Sequence, residues 1–188
     1  YEAQPPVTAD APTAAKELRV EQAAALINAA RRPFVYFGGG LVAAGAQSEM
    51  LALAEKLDAP IGCSLTGISG IPTDHPRFLG MQGMHGHYAS SLAMHNADLI
   101  ISLGVRFNDR VTGDRSRFAP GARIVQIDVD GSELSKNVPA AVGLRGDVKQ
   151  TLQRLLPLVN QVKNPEWQEK LAKLRAEEAE SADHREGL

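Results

Sequence analysis

The sequence predicts an α/β domain: a Rossmann-like, doubly wound parallel sheet of five or six strands with helices on both faces. Three observations predict it. Short apolar runs alternate with stretches of helical period along most of the chain, as parallel strands joined by helical crossovers require. Three glycines follow the first apolar run, Phe34 to Phe37. Charged residues gather where apolar runs end, above all in Gly104-Val105-Arg106-Phe107-Asn108-Asp109-Arg110-Val111-Thr112-Gly113, and the loops outside the carboxyl ends of such strands are where open α/β sheets bind ligands.

Taken in order, Tyr1 to Ala15 is rich in Pro, Ala and Thr without any period, and residues 1–19 are expected to be an interdomain linker. A chain that opens on such a segment, with tyrosine first, reads as a piece of a longer polypeptide. Val20, Ala23, Leu26, Ile27 and Ala30 recur at helical spacing until Arg31, Arg32 and Pro33 close the pattern. Phe34 to Phe37 is a strand, the glycines are a turn, and a helix is expected from Ala46 to Leu57. Ile61 to Leu65 reads as a second strand. Thr66 to Gly83 reads as one long loop rich in Gly, Pro, Thr and Asp, a kind of segment that is usually functional. Gly86 to Asn96 is expected to be helical with Tyr88, Leu92 and His95 inward, and Asp98 to Leu103 to be a strand. Arg123 to Ile127 and Ala141 to Leu144 are further strands, with Asp130 and Glu133 at capping-box spacing between them. Val148 to Val162 is a last amphipathic helix of a central domain spanning 20–162. The Lys- and Glu-rich residues 163–188 suit a solvated, charged helical connector in which Glu166 and Lys170 stand four apart.

Composition excludes several classes. With 44% hydrophobic and 22% charged residues the chain is of ordinary globular composition. A net charge of −2 offers no footprint for nucleic acid or for an anionic membrane. No apolar run approaches the length of a membrane span. The single cysteine, Cys63, rules out an internal disulfide and fits a reducing, cytoplasmic compartment. It reads as an inert core thiol.

The candidate site residues follow from placement. Arginine at a strand-to-loop junction suits a phosphate or carboxylate, because its planar fork donates two hydrogen bonds at once. Equally, Arg106, Asp109 and Arg110 could pair among themselves on a surface turn. Gly38-Gly39-Gly40-Leu41-Val42-Ala43 satisfies the dinucleotide fingerprint with alanine last. No acidic residue ends the second strand to hold a ribose, however, and a structural glycine turn is the equal alternative. Gly83-Met84-His85-Gly86 heads a helix and leaves room for a flat ligand. Asp128 ends a strand where a carboxylate can accept from ribose hydroxyls, and Asp147 repeats that placement while also suiting a helix N-cap. His75, His85, His87, His95 and Cys63 match no zinc spacing, and no metal site is expected. No nucleophile elbow, Walker lysine or Cys–base pair is present, so no catalytic residue is assigned. Read alone, the residues reach a nucleotide- or cofactor-binding α/β domain, including a stand-alone NAD- or ADP-binding module.

The ordered set Gly83 to Gly86, Gly104 to Gly113, Ile127-Asp128-Val129-Asp130 and Gly146-Asp147-Val148 closely resembles the central domain of the acetolactate synthase (acetohydroxyacid synthase) catalytic-subunit family, over about Arg32 to Leu158. The resemblance implies a thiamine diphosphate- and magnesium-dependent parent. That enzyme condenses two pyruvates, or pyruvate and 2-oxobutyrate, to an acetohydroxyacid with release of CO2 in branched-chain amino acid biosynthesis. It implies a structural FAD in this domain, lined by Gly39, Ser64, Leu65, Gly83, Met84, His85, Gly86, Gly104, Val105, Arg106, Phe107, Asn108 and Asp109 along the flavin, ribityl and pyrophosphate. Asp128 with Val129 and Asp147 with Val148 would hold the adenosine end, and Met84, Asp109 and Arg110 would lie at the active-site channel. The parent is expected to be a homodimer or homotetramer, with a regulatory subunit as a further partner. Thiamine diphosphate and magnesium would sit on the parent's other two domains, so the chain alone is expected to be inactive. Two departures are visible: Asn108-Asp109-Arg110 stands where the family usually has Asp-Asp-Arg, and Ser64-Leu65-Thr66-Gly67 where it commonly has Thr-Leu-Met-Gly. The alternative within this resemblance is the central domain of a pyruvate oxidase or a glyoxylate carboligase, against which Gly83-Met84-His85-Gly86 and Arg106-Phe107-Asn108-Asp109-Arg110 favour acetolactate synthase.

Overall fold

Six short strands, Pro33–Phe37 (β1), Ile61–Cys63 (β2), Phe78–Met81 (β3), Leu99–Leu103 (β4), Arg123–Asp128 (β5) and Val142–Arg145 (β6), form one sheet in the order β3-β2-β1-β4-β5-β6. Every pairing is parallel. The computed structural model describes residues 14–186. Its helices are Ala14–Ala29 (α1), Gly39–Ala43 (α2), Gln47–Lys56 (α3), Tyr88–Asn96 (α4), Asp109–Thr112 (α5), Val148–Leu155 (α6) and Pro165–Glu186 (α7).

Strands covered on both faces must be apolar on both faces, and β1 and β4 are buried at every position. Side-chain alternation splits them into two cores. Val35, Phe37, Ile101, Leu103, Val125 and Ile127 pack with α1, α3 and α6. Phe34, Tyr36, Ile100 and Ile124 pack with α4 and α7. On α6 the buried residues Val148, Thr151, Leu152 and Leu155 make one helical face, and Asp147 caps its start. Among the described residues no helix is long and apolar enough to cross a membrane.

Several sequence expectations are corrected. Helix α1 begins at Ala14, so the part of the expected linker after residue 13 is helical; the part before it lies outside the described residues. The helix expected to start near Ala46 is preceded by α2, which starts on the glycines themselves at Gly39 and is broken from α3 by Gly45, with φ +60°. The long loop 66–83 contains a 3₁₀ turn, Leu65–Gly70, and the edge strand β3. Four residues interrupted by glycine and preceded by Pro72 and Pro76 carry too little pattern to be read as a strand. In α4 the buried face is Ala89, Ser90, Ala93 and Met94, whereas Tyr88 and His95 are exposed; Leu92 is half-buried against the core. The last amphipathic helix ends at Leu155 and continues only as a 3₁₀ turn, Leu156–Leu158, because Pro157 cannot extend an α-helix. At Asp130 and Glu133 no capping box forms. The Asp130 N–H goes to Asp128 Oδ1, and the Glu133 carboxylate turns toward Lys136.

The largest correction is α7. It is not a solvated connector along its buried stripe: Trp167, Leu171 and Leu174 recur at i, i+4 and i+7 and lie in the core beside α4. The Trp167 indole N–H donates to the Pro33 carbonyl at 3.1 Å. Upstream of α7 the chain is tied to the end of α3. Asn164 Nδ2 donates to the Leu57 carbonyl at 2.9 Å, and Val162 N–H donates to the Lys56 carbonyl at 2.8 Å.

Trp167→Ala therefore removes a ring that is 2% exposed together with a buried hydrogen bond. The expected loss is about 3 to 5 kcal/mol of unfolding free energy, measured by denaturant titration followed by circular dichroism; a loss below about 1 kcal/mol would show that α7 is not part of the folded core.

Candidate functional site

Sheet order places the crevice. From β1 the chain winds to β2 and β3, and from β4 it winds the opposite way to β5 and β6, so the loops leaving β1 and β4 part company between two adjacent strands. In doubly wound sheets a ligand lies across that point. Here the two loops are locked backbone to backbone. Gly38 N–H donates to the Leu103 carbonyl at 3.2 Å, Gly40 N–H to the Gly104 carbonyl at 3.0 Å, and Gly104 N–H to the Ile127 carbonyl at 2.9 Å. Gly104 has φ +54°, and a Cβ on it would stand 2.7 Å from the Gly40 Cα. Gly38 and Gly40 thus serve the turn and its close packing, the structural half of the reading. Gly39 N–H faces Thr66 Oγ1 at 3.3 Å.

Beside β1, Ser64 N–H donates to the Phe37 carbonyl at 2.9 Å. The Ser64 hydroxyl shares a hydrogen bond with Thr66 Oγ1 at 3.1 Å, and Leu65 next to it is exposed. Beyond β3, the segment Gly83 to Gly86 folds onto the loop after β4 through Met84 N–H and the Arg110 carbonyl, 3.0 Å apart. That contact brings Met84, Asp109 and Arg110 together on one cavity of about 410 Å³, lined also by His95 and Arg117. Met84 is 73% exposed and His85 is exposed next to it. Asn108 caps α5, its Oδ1 accepting from Val111 N–H at 3.2 Å. An aspartate could accept the same bond, so the departure from Asp-Asp-Arg removes a charge and leaves the turn.

On the other side of the crevice lies an acidic group with cations around it. Asp128 ends β5, is 8% exposed, and accepts Asp130 N–H at 2.9 Å. Burial raises its carboxyl above the usual range. The Asp130 N–H opposes that shift, the Glu133 and Asp130 carboxylates add to it, and the Arg106 guanidinium opposes it. Arg106 does not pair with Asp109 or Arg110. Its Nε lies 3.4 Å from Glu133 Oε1, with the arginine largely exposed and the glutamate buried, and Lys136 Nζ meets the same oxygen at 2.9 Å. Glu133 as a partner of Arg106 escaped the sequence, because the two are far apart in the chain and the spacing of Asp130 and Glu133 pointed to a cap. Asp147 is the α6 N-cap, its Oδ1 accepting Gln150 N–H at 2.9 Å. The side chains of Val105, Phe107 and Val148 are buried, which leaves only their backbone for a ligand, whereas Val129 is exposed at the rim.

Residues 20–155 match the family described as thiamine pyrophosphate enzyme, central domain. The chain belongs to that family. It is 40% identical over 143 residues to the acetolactate synthase isozyme 3 large subunit of Escherichia coli (strain K12), covering 76% of this chain and 25% of that protein. To the probable acetolactate synthase large subunit of Methanocaldococcus jannaschii it is 42% identical over 166 residues, 87% of this chain and 28% of that protein. With the isozyme 1 large subunit of E. coli it shares 40% over 161 residues, 86% of this chain and 28% of that protein. The chain spans about a quarter of the length of these curated relatives.

In this thiamine pyrophosphate enzyme central domain the burial of Cys63 pushes its thiol up to about 11. A thiol so far from ionisation is a poor nucleophile near neutral pH.

Two tests follow from this geometry. Gly104→Ala should lower stability by roughly 1 to 3 kcal/mol through a strained backbone and a backbone clash. Gly45→Ala, at φ +60° with no neighbour within 4 Å, should lower it less; equal losses in thermal unfolding would show that the β1–β4 contact imposes no steric demand. For Asp128 the folded carboxyl titrates above the unfolded one, so the folded state binds more protons in that window and its stability falls as pH rises through it. Above the window the charge is a standing penalty. Asp128→Asn keeps an acceptor for Asp130 N–H and should be more stable than wild type at neutral pH, the gain shrinking as pH drops below the raised value. Denaturant titrations at several pH values would check this, and a gain independent of pH would contradict it.

Proposed function

We propose that this chain is the FAD-binding central domain of an acetolactate synthase, which joins two pyruvates, or pyruvate and 2-oxobutyrate, with loss of CO2. The observation that carries the reading is the placement of Arg106 and Asp128 on one rim beside the Gly38–Gly40 and Gly104 junction, in a chain whose relatives are named acetolactate synthase large subunits. The donor set fits an FAD. Arg106, 72% exposed, can turn its fork from Glu133 to a pyrophosphate. Among the described residues Asp130 N–H is the donor that Asp128 meets, so its carboxylate keeps room to accept ribose or adenine N–H and O–H groups. Exposed Leu65 and Met84 offer apolar contact on the flavin side. Beta-strand 2 ends in Cys63 and Ser64 with no carboxylate, so the acid that a first-turn NAD site would need is missing.

In this reading the flavin is structural, and thiamine diphosphate, which supplies the carbanion chemistry, is held with magnesium by the parent's other two domains. Met84, Asp109 and Arg110, gathered on one cavity, would border the channel to that centre. Arg110 there would attract anionic 2-oxo acids while Met84 covers their apolar ends. The domain supplies no catalytic residue, and the chain alone would be inactive. A cytoplasmic location, assembly of the parent as a homodimer or homotetramer, and a smaller regulatory partner, as the words large subunit suggest, complete the proposal.

Titration of the chain with FAD, FMN, NAD and ADP, followed by flavin fluorescence and by the emission of Trp167, tests the reading. FAD should bind in preference to NAD; preference for NAD would mark an NAD-binding module instead. Arg106→Ala should weaken FAD binding by roughly 1 to 3 kcal/mol, and an unchanged Kd would remove Arg106 from the site. Asp128→Asn should weaken FAD and ADP alike and leave FMN, which lacks the adenosine, unaffected.

A further inference from the structure

At the start of α4 the carboxylate that fills the N-terminal position comes from another helix. His87 is the N-cap residue but its side chain caps nothing. Glu178, on α7, accepts the Tyr88 N–H at 2.7 Å through Oε1, and the same oxygen lies 3.4 Å from His87 Nδ1. A carboxylate there meets both a free amide and the positive end of the helix dipole. Two more contacts reinforce the attachment. The Tyr88 hydroxyl donates to Glu177 Oε2 at 3.4 Å, and Arg175 Nη2 donates to the Pro76 carbonyl at 2.6 Å and the Phe78 carbonyl at 3.3 Å. A single turn of α7, Arg175 to Glu178, therefore holds both the entry to β3 and the start of α4.

What lies between those two attachments is the loop Gly83 to Gly86. Its internal bonds are few: Gly86 N–H to the Gly83 carbonyl at 2.8 Å, Met84 N–H to the Arg110 carbonyl at 3.0 Å, and His87 N–H to the Met81 carbonyl at 2.9 Å. Met84 and His85 are exposed, so no core packing holds the loop. The His87 ring lies over Gly80, at a place where any Cβ would collide with it. Its position is thus set by Gly80 below and by Glu178 beside it. From the Trp167 anchor at the amino edge of β1 to Glu178 is about 17 Å along the helix axis, which carries α7 to the start of α4, next to this loop at the carboxyl edge of the sheet.

We infer that Glu178 is a positioning residue for the Gly83–Gly86 loop: it fixes the start of α4, and through His87 it fixes where Met84 and His85 stand on the rim. The effect on a ligand rests on the flavin reading of that rim given above. Glu178 touches no part of the crevice itself, and it acts only through the two residues it holds.

Amide hydrogen exchange of the whole chain tests this, read at Met84, Gly86 and His87, whose N–H groups do not bond to Glu178, and referred to strand β4. In Glu178→Ala those amides should exchange about tenfold faster or more relative to β4, the factor expected for one lost hydrogen bond to a charged acceptor. Glu178→Gln, which retains an acceptor for Tyr88 N–H, should recover part of the protection. FAD affinity should fall by a similar factor in Glu178→Ala while ADP, which reaches only the Asp128 side, keeps its wild-type affinity. An unchanged ratio, or a rise shared equally by β4, would overturn the inference, and so would equal losses for FAD and ADP. If the wild-type chain bound neither nucleotide, the flavin reading would fall while the exchange ratio would still decide whether Glu178 positions the loop.

Discussion

Everything at the carboxyl edge of the sheet depends on one contact, the packing of the Gly38–Gly40 turn against Gly104. Two parallel strands whose connections depart in opposite directions leave a gap between their loops, and the width of that gap decides whether anything can bind there. With a hydrogen bond of 3.0 Å from Gly40 to Gly104, and no space for a Cβ on Gly104, the gap is closed at its floor. The glycines bring the loops after β1 and β4 into backbone contact. Side chains on the floor would hold the two halves apart.

The two rims differ in how they are held. On the β5 and β6 side the polar groups are built in. Asp128 and Glu133 are buried carboxylates whose repulsion is offset by Asp130 N–H, Arg106 and Lys136, and Asp147 caps α6. In that cluster the carboxylates are buried while Arg106 and Lys136 reach them from the surface. On the β3 side the groups are exposed and hang on a loop with few bonds of its own. Its order comes from outside, through Arg110 and the α7 carboxylates. One half of the crevice is thus preset by the core, while the other is set by a helix that crosses the whole domain.

Helix α7 also ties the two edges of the sheet together. Trp167 closes the bottom of β1, the middle of the helix fills the second core, and its later turns reach the β3 loop. A helix rich in charged residues can do this because three apolar residues at i, i+4 and i+7 suffice for a stripe, and the charges between them are free to reach backbone groups that the strands leave exposed.

By itself the sequence determined the architecture and the family. Five of the six strands, the amphipathic face of α6 and the N-cap role open to Asp147 are local properties, written in apolar period and in short-range capping chemistry. The family motifs at Gly83, Gly104, Asp128 and Gly146 also lie in order along the chain. Only the tertiary structure decided the rest. It found β3, whose four residues gain strand character from pairing with β2 and not from their own pattern. It placed Arg106 on Glu133 instead of on Asp109, assigned Gly38 and Gly40 to packing, and turned a tail that looks solvated into part of the core. Each of those outcomes depends on residues distant in the chain meeting across the sheet, and no periodicity of a single segment encodes such a meeting.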